Sequence, residues 1–264
     1  MPTISVRGVN YNYDEYGSGE ETLVFSHGML FAGWMFEHQV EYFKNKYRVI
    51  TYDFRGQGKT QITDDGYDID SLYEDTVELI RALCPKPVIY VGLSMGGFVG
   101  MRLAARNPEL VDKLILLDTT CKEEPFENIP KYKMMNNIVR TVGYWPVEKN
   151  IMEIMFGDSF LKDKSRKPLY DLYLSRFKQN NKSAVVKAVL GVVERKGIQF
   201  ELKNIVCPTL IVRGSEDKQV TLERSLMIHE NIKGSVHVEI EGAGHSGTLE
   251  EPDKYNKAIE DFIS

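Results

Sequence analysis

The sequence predicts an α/β fold with a doubly wound, mostly parallel β-sheet and a helical insertion. Several short runs are strongly apolar and lack a two-residue alternation, which is typical of strands covered on both faces. Helical patterns separate these runs, and this order favours parallel strands joined by crossover helices. The alternation is interrupted once, between about residues 119 and 206.

The strand predictions follow the chain in order. Residues 5–9 and 11–16 are short and amphipathic, and they predict a hairpin that turns at Asn10. The apolar runs predict six further strands at residues 22–26, 47–52, 87–92, 113–118, 208–212 and 235–240.

Three helices are predicted between and after these strands. Residues 67–83 carry apolar side chains at helical spacing, and residues 95–106 are small and apolar up to Asn107 and Pro108, which end a helix. Residues 253–263 form a last amphipathic helix that begins after Pro252.

The interrupted stretch is rich in Met and aromatic residues and has a helical pattern. A structureless loop of that length is uncommon in a compact domain. We therefore interpret residues 121–205 as a helical insertion into a core domain made of residues 1–120 and 206–264.

Composition narrows the function classes. The chain has 264 residues, 42% of them hydrophobic, and a net charge of -5, which is unlike a disordered or a nucleic-acid-binding protein. Three widely spaced cysteines, Cys84, Cys121 and Cys207, predict neither a disulfide framework nor a zinc site. We find no signal-peptide pattern and no apolar run long enough to span a membrane. We expect a cytoplasmic protein without metal or cofactor that binds neither nucleic acid nor membrane, as a monomer or homodimer.

The sharpest local signal is Gly92-Leu93-Ser94-Met95-Gly96, which fits G-x-S-x-G between a predicted strand and a predicted helix. A serine on such a tight turn needs neighbours without a clashing Cβ. The amides at the start of the helix then face developing negative charge. Ser94 is therefore the candidate nucleophile.

A serine nucleophile needs a base and an acid that orients the base. Of the five histidines, His245 lies in a loop between the last strand and the last helix, where a doubly wound sheet places its site. Asp217 and Asp118 both follow strands and both are candidate acids. Asp217 is favoured because it gives the chain order Ser, Asp, His, while Asp118 remains the possible alternative and Glu216 a minor one.

These motifs together resemble the α/β-hydrolase fold superfamily over nearly the whole chain. His27-Gly28-Met29 resembles the oxyanion turn of that family, and residues 52–58 resemble its D-x-R-G-x-G loop. The resemblance implies that the backbone N–H groups of Met29 and Met95 form the oxyanion hole. It also implies that His27 braces this turn, and that residues 121–205 are the helical cap. Gln57 stands where the family often has His.

We expect a serine hydrolase that cleaves a small ester or lactone. The pocket is predicted to include His27, Gly28, Trp145, Met152 and Phe156, and to prefer apolar acyl groups because it is rich in Met and aromatic side chains. Three alternatives stay open: a hydrolase of C–C bonds of the meta-cleavage type, a cofactor-free haloperoxidase or perhydrolase, and a ligand receptor on the same fold.

Overall fold

The structure is a computed structural model that describes residues 2–264. Its centre is one eight-stranded sheet with the strand order β1-β2-β4-β3-β5-β6-β7-β8. The two pairs that involve β2 are antiparallel and all other pairs are parallel, which confirms the predicted mostly parallel sheet. The strands are β1 Thr3–Val6, β2 Val9–Tyr16, β3 Thr22–Ser26, β4 Arg48–Tyr52, β5 Val88–Leu93, β6 Val111–Leu117, β7 Thr209–Gly214 and β8 Val236–Ile240.

The first hairpin turns at a different place from the predicted one. Its two turn residues are Arg7 and Gly8, both with positive φ (48° and 79°), which suits the right-handed twist of a two-residue hairpin. Asn10 instead lies in β2 and pairs with Ser5. The predicted turn at Asn10 was wrong because glycine, rather than asparagine, supplies the left-handed conformation here.

Helices lie along both faces of the sheet and over one of its edges. They are α1 Glu37–Phe43, α2 Ile69–Leu83, α3 Met95–Arg106, α4 Ile129–Thr141, α5 Glu148–Met155, α6 Asp158–Lys162, α7 Lys167–Lys178, α8 Lys182–Val193, α9 Leu222–Asn231, α10 Gly247–Glu250 and α11 Pro252–Ile263. The predicted helix over 67–83 begins two residues later, because the Asp68 side chain accepts a hydrogen bond from the Ser71 N–H and caps α2.

Side chains of the central strands alternate between two apolar cores. Leu23 and Phe25 of β3 pack with residues of α1 and α11, whereas Val24 packs with residues of α2, α3 and α9. The period of two along a strand sends neighbouring side chains to opposite faces. Both faces are therefore buried, which explains why these strands lack a polar alternation.

Five helices, α4 to α8, connect β6 to β7. Their apolar side chains join the same core as α1 and α11, with Phe156, Phe160 and Tyr173 stacked on one another at ring-centroid distances of 4.7–6.2 Å. These helices thus share an apolar core with the helices on one face of the sheet. The boundaries 121 and 205 and the status of a separate cap remain predictions.

All three cysteines carry free thiols. Within residues 2–264, no helix has both the length and the apolar character needed to cross a membrane.

Candidate active site

Ser94 occupies the turn between β5 and α3. Its backbone lies at φ 50° and ψ -108°, a strained conformation for a residue with a side chain. A Cβ on Gly92 would overlap the carbonyl oxygen of Gly96, and one on Gly96 would overlap that of Ser26. The glycines of the motif therefore allow the close approach of backbones that holds Ser94 at the start of the helix.

His245 contacts Ser94, and Asp217 contacts His245, from loops that follow two other strands. Asp217 follows β7 and His245 follows β8, so all three lie at the carboxyl edge of the sheet. The Ser94 hydroxyl lies 2.9 Å from His245 Nε2, and His245 Nδ1 lies 2.8 Å from Asp217 Oδ2. Because the carboxylate can only accept, Nδ1 carries the proton and Nε2 is free to accept from the hydroxyl.

The carboxylate of Asp217 is held in one orientation by the backbone. Its Oδ1 accepts hydrogen bonds from the N–H groups of Gln219 (2.7 Å) and Val220 (3.0 Å), which leaves Oδ2 for His245. Burial alone lowers the pKa of His245, but the charge and hydrogen bond of Asp217 outweigh burial and raise this pKa above its usual value. A histidine with this environment is stabilised as the imidazolium that forms during proton transfer.

Asp118, the alternative acid, has other partners. Its Oδ1 accepts from the Gly214 N–H and its Oδ2 from the Tyr255 hydroxyl, each at 2.7 Å. Burial and the nearby Asp217 charge hold the pKa of Asp118 well above its usual value. The structure thus brings Asp217, and not Asp118, into contact with His245, and Asp118 ties β6 to β7 and α11.

His27 is fully buried behind the turn that follows β3. Its Nε2 accepts a hydrogen bond from the Phe54 N–H (2.9 Å), and its Nδ1 lies 2.7 Å from the Gly28 carbonyl and donates to it. Burial lowers the pKa of His27, which keeps the ring neutral. His27 is not among the residues that line the cavity described below, so its predicted place in the pocket lining was wrong. Its two backbone bonds connect the turn to the chain after β4.

Two backbone N–H groups close to Ser94 in the chain or in the cavity lining have no hydrogen-bond acceptor among residues 2–264. Among residues 2–264, neither Met29 nor Met95 donates a backbone hydrogen bond to another residue, although the next amide, Leu30 N–H, donates to the Gln57 side chain at 3.0 Å. Met95 is the first residue of α3, where the N–H groups lack an intrahelical acceptor. Met29 lines the cavity at Ser94, and Met95 is the residue that follows Ser94.

A narrow cavity of about 80 Å³ opens at Ser94 and His245. Its apolar lining residues come from the core domain and from the helices between β6 and β7, and include Gly28, Met29, Phe98, Ile154, Met155 and Val189. Its polar lining residues include Thr120, Glu124, Tyr132, Arg195, Gln219 and Arg224. A second, wholly apolar chamber of about 60 Å³ shares Met29, Ile154 and Met155 with it.

Three predicted pocket residues lie elsewhere. Trp145 is 76% exposed in the connection between α4 and α5, so the aromatic ring does not line the cavity. Met152 and Phe156 are buried in the apolar core that fixes α5 to its neighbours. The predicted pocket role of all three was wrong, because the helical pattern does not say which side of a helix packs on the core and which faces the cavity. Met155, one residue before Phe156, lines the cavity instead.

Glu250 is a residue near the site that the sequence pattern did not reveal. It is buried, and its carboxylate accepts backbone hydrogen bonds from Gly157 (2.8 Å), Gly244 (3.1 Å) and Ser246 (3.1 Å). Burial raises the pKa of Glu250 to about 7, against the opposing effect of these three bonds. Glu250 therefore fastens the two residues that flank His245 to the connection between α5 and α6.

Comparisons with known proteins bear on the fold of the chain. A family model described as alpha/beta hydrolase fold matches residues 21–252. The 3-oxoadipate enol-lactonase 2 of Acinetobacter baylyi is 27% identical over 259 residues, which cover 98% of this chain and 94% of that protein.

Two solved structures have the same fold at lower identity. A thermophilic esterase from Thermogutta terrifontis has a TM-score of 0.91 and 23% identity, covering 100% of this chain and 98% of its own. The enol-lactonase from Burkholderia xenovorans also has a TM-score of 0.91 and 23% identity, with 99% of each chain covered.

Proposed function

Because this chain belongs to the alpha/beta hydrolase family, we propose that it is a serine hydrolase that cleaves a small carboxylic ester or lactone. The observation that carries the proposal is the continuous series of hydrogen bonds from Ser94 through His245 to Asp217. The names of its relatives, an esterase and two enol-lactonases, support the same reaction class.

The first half of the reaction forms an acyl-enzyme. Ser94 Oγ attacks the carbonyl carbon while its proton passes to His245 Nε2, and Asp217 stabilises the imidazolium through Nδ1. The negative charge on the carbonyl oxygen is met by the N–H groups of Met29 and Met95. The bond from the carbonyl carbon to the leaving oxygen then breaks, and Nε2 returns the proton to that oxygen.

The second half releases the acid. A water molecule gives a proton to His245 Nε2 and attacks the acyl carbon, and collapse of the intermediate returns the proton to Ser94 Oγ. An ester yields an acid and an alcohol, whereas a lactone yields one hydroxy acid because its leaving oxygen stays attached. No step requires a redox change or a further reactant besides water.

We further propose that residues 121–205 act as a cap that shapes the acyl site. The support is that Ile154, Met155 and Val189 of this segment line the cavity together with Met29 and Phe98 of the core. A mostly apolar wall excludes water from the carbonyl and strengthens the hydrogen bonds to its oxygen.

The test compares the wild type with Ser94→Ala on matched substrates. A panel of 4-nitrophenyl esters and simple γ- and δ-lactones should be hydrolysed by the wild type, and Ser94→Ala should lose at least about 10³-fold in kcat/KM. Equal activity of the two proteins would contradict the acyl-enzyme. A chain that binds these molecules without turnover would be a receptor, and cleavage of a C–C bond in a diketone in preference to any ester would replace the proposed reaction.

A further inference from the structure

Two arginine side chains, Arg195 and Arg224, are among the residues that line the cavity at Ser94. Arg195 follows α8 and is only 7% exposed, and its guanidinium stacks 4.3 Å above the ring of Phe98. Phe98 is one helical turn from Ser94, with its N–H bonded to the Ser94 carbonyl at 3.0 Å. The buried guanidinium therefore packs against the first turn of the helix that begins after the candidate nucleophile.

The hydrogen bonds of Arg195 leave part of its guanidinium unused. Its Nε donates to the Lys122 carbonyl (3.1 Å), and its Nη1 donates to the Val192 carbonyl (2.8 Å) and to Glu124 Oε2 (3.2 Å). Within residues 2–264, its Nη2 has no hydrogen-bond acceptor. A guanidinium always carries its charge and has five N–H donors. The protein therefore supplies no acceptor for the two donors on Arg195 Nη2.

Glu124 is the one carboxylate among the described residues that line this cavity, and both of its oxygens already accept hydrogen bonds. Its Oε1 accepts from Asn128 at 2.9 Å, and its Oε2 accepts from Arg195. Arg224 donates to the Glu123 carbonyl at 3.0 Å, but no carboxylate of residues 2–264 lies within 4.0 Å of its guanidinium. The residues that line this cavity thus include two arginines and one carboxylate.

Burial is the largest cause that lowers the pKa of Arg195; Glu124 offsets part of that effect, and Arg224 and Arg102 lower this pKa further. A buried N–H donor without an acceptor costs free energy, and a bound carboxylate would supply that acceptor.

We propose that Arg195 and Arg224 form a subsite for a carboxylate, so that the natural substrate is an ester or lactone with a free carboxylate group. The inference rests on the proposed hydrolase function and adds the chemical class of its substrate. A carboxylate would accept charge-assisted hydrogen bonds from Arg195 Nη2 and from the Arg224 guanidinium.

This proposal departs from the expectation of purely apolar acyl groups. The lining combines apolar side chains with the two arginines, so the expected substrate has both an apolar chain and a free carboxylate. The half ester of adipic acid has that form.

The test uses two aryl esters that differ only at the far end: 4-nitrophenyl hydrogen adipate and its methyl-capped form, 4-nitrophenyl methyl adipate. Release of 4-nitrophenolate reports cleavage of the same bond in both. The wild type should prefer the free acid by about 10- to 100-fold in kcat/KM, as expected for charge-assisted hydrogen bonds. Added salt should reduce this preference only modestly, because the pair would be buried.

The variants separate the subsite from general charge effects. Arg224→Gln should reduce the preference at least tenfold, and Arg224→Lys should retain most of it. Arg140→Gln, which removes the same charge from an exposed position on α4, should leave the preference unchanged. Arg224 is chosen over Arg195 because its loss leaves no buried carboxylate unpaired.

The outcomes distinguish this inference from the proposed function. If both esters are cleaved through Ser94 without preference for the acid, or if Arg224→Gln keeps the full preference, the carboxylate subsite is refuted and the hydrolase stands. If Ser94→Ala cleaves both esters as fast as the wild type, the proposed function fails and the subsite with it.

Discussion

Replacing Asp217 with Asn should nearly abolish activity, because the backbone dictates which way the new amide points. In the wild type, Oδ1 accepts from two backbone N–H groups and Oδ2 faces His245 Nδ1. In Asp217→Asn the amide oxygen should keep the place of Oδ1, because only an oxygen can accept from those two N–H groups. The amide nitrogen must then face Nδ1. Two donors cannot share that bond, so His245 must move its proton to Nε2.

A neutral His245 that carries its proton on Nε2 cannot accept the proton of Ser94. The expected loss is roughly 10⁴-fold in kcat, equivalent to about 5.4 kcal/mol of transition-state stabilisation. The matched control is Asp118→Asn. Asp118 is held by Gly214 and Tyr255 and its raised pKa favours the neutral form, so a neutral isostere should cost less than about tenfold in kcat.

The assay is steady-state hydrolysis of 4-nitrophenyl butyrate, with circular dichroism and thermal unfolding to confirm that both variants fold. The reasoning is refuted if Asp217→Asn retains more than about a tenth of wild-type kcat. It is equally refuted if Asp118→Asn loses as much as Asp217→Asn while remaining folded, because Asp118 would then be the orienting acid.

Three further predictions concern stability. Burial raises the folded-state pKa of Glu250 from 4.5 to about 7, so folding favours its protonated form. The free energy of unfolding of the wild type should therefore fall by about 3 kcal/mol between pH 4.5 and 7, relative to that of Glu250→Gln. The same pH dependence of stability in both proteins would contradict this prediction. Tyr173→Phe should stabilise the protein by about 1 kcal/mol in urea unfolding, because the buried Tyr173 hydroxyl has no hydrogen-bond partner within residues 2–264. A loss of stability would show that the hydroxyl does have a partner. Gly96→Ala should cost at least about 2 kcal/mol in the same assay, because its Cβ would overlap the Ser26 carbonyl, and an unchanged midpoint would disprove that close contact.

The sequence predicted most of the sheet because burial on both faces leaves a strong signal. The run at 22–26 coincides with β3, and the helix over 95–106 coincides with α3. The candidate nucleophile was found for a related reason: the glycines around Ser94 are required by the close approach of backbones at that turn. Local physics of this kind is visible in a single short segment.

The pocket could not be predicted in the same way. Trp145 and Met155 both lie in the Met- and aromatic-rich insertion, yet one is exposed and the other lines the cavity. Which of them reaches the cavity depends on how the helices pack on the core. Arg195 and Arg224 are distant in sequence, and no sequence pattern distinguishes them from ordinary surface residues. Only the fold shows that both line the same cavity.

The account depends most directly on covalent reaction at Ser94. A fluorophosphonate should form one adduct per chain, and peptide mass spectrometry should place it on Ser94. Ser94→Ala should remain unlabelled, and His245→Gln should label at least about 10³-fold more slowly because the serine would lack its base. Absence of an adduct on the folded wild type, or an adduct on any other residue, would contradict the proposed hydrolase.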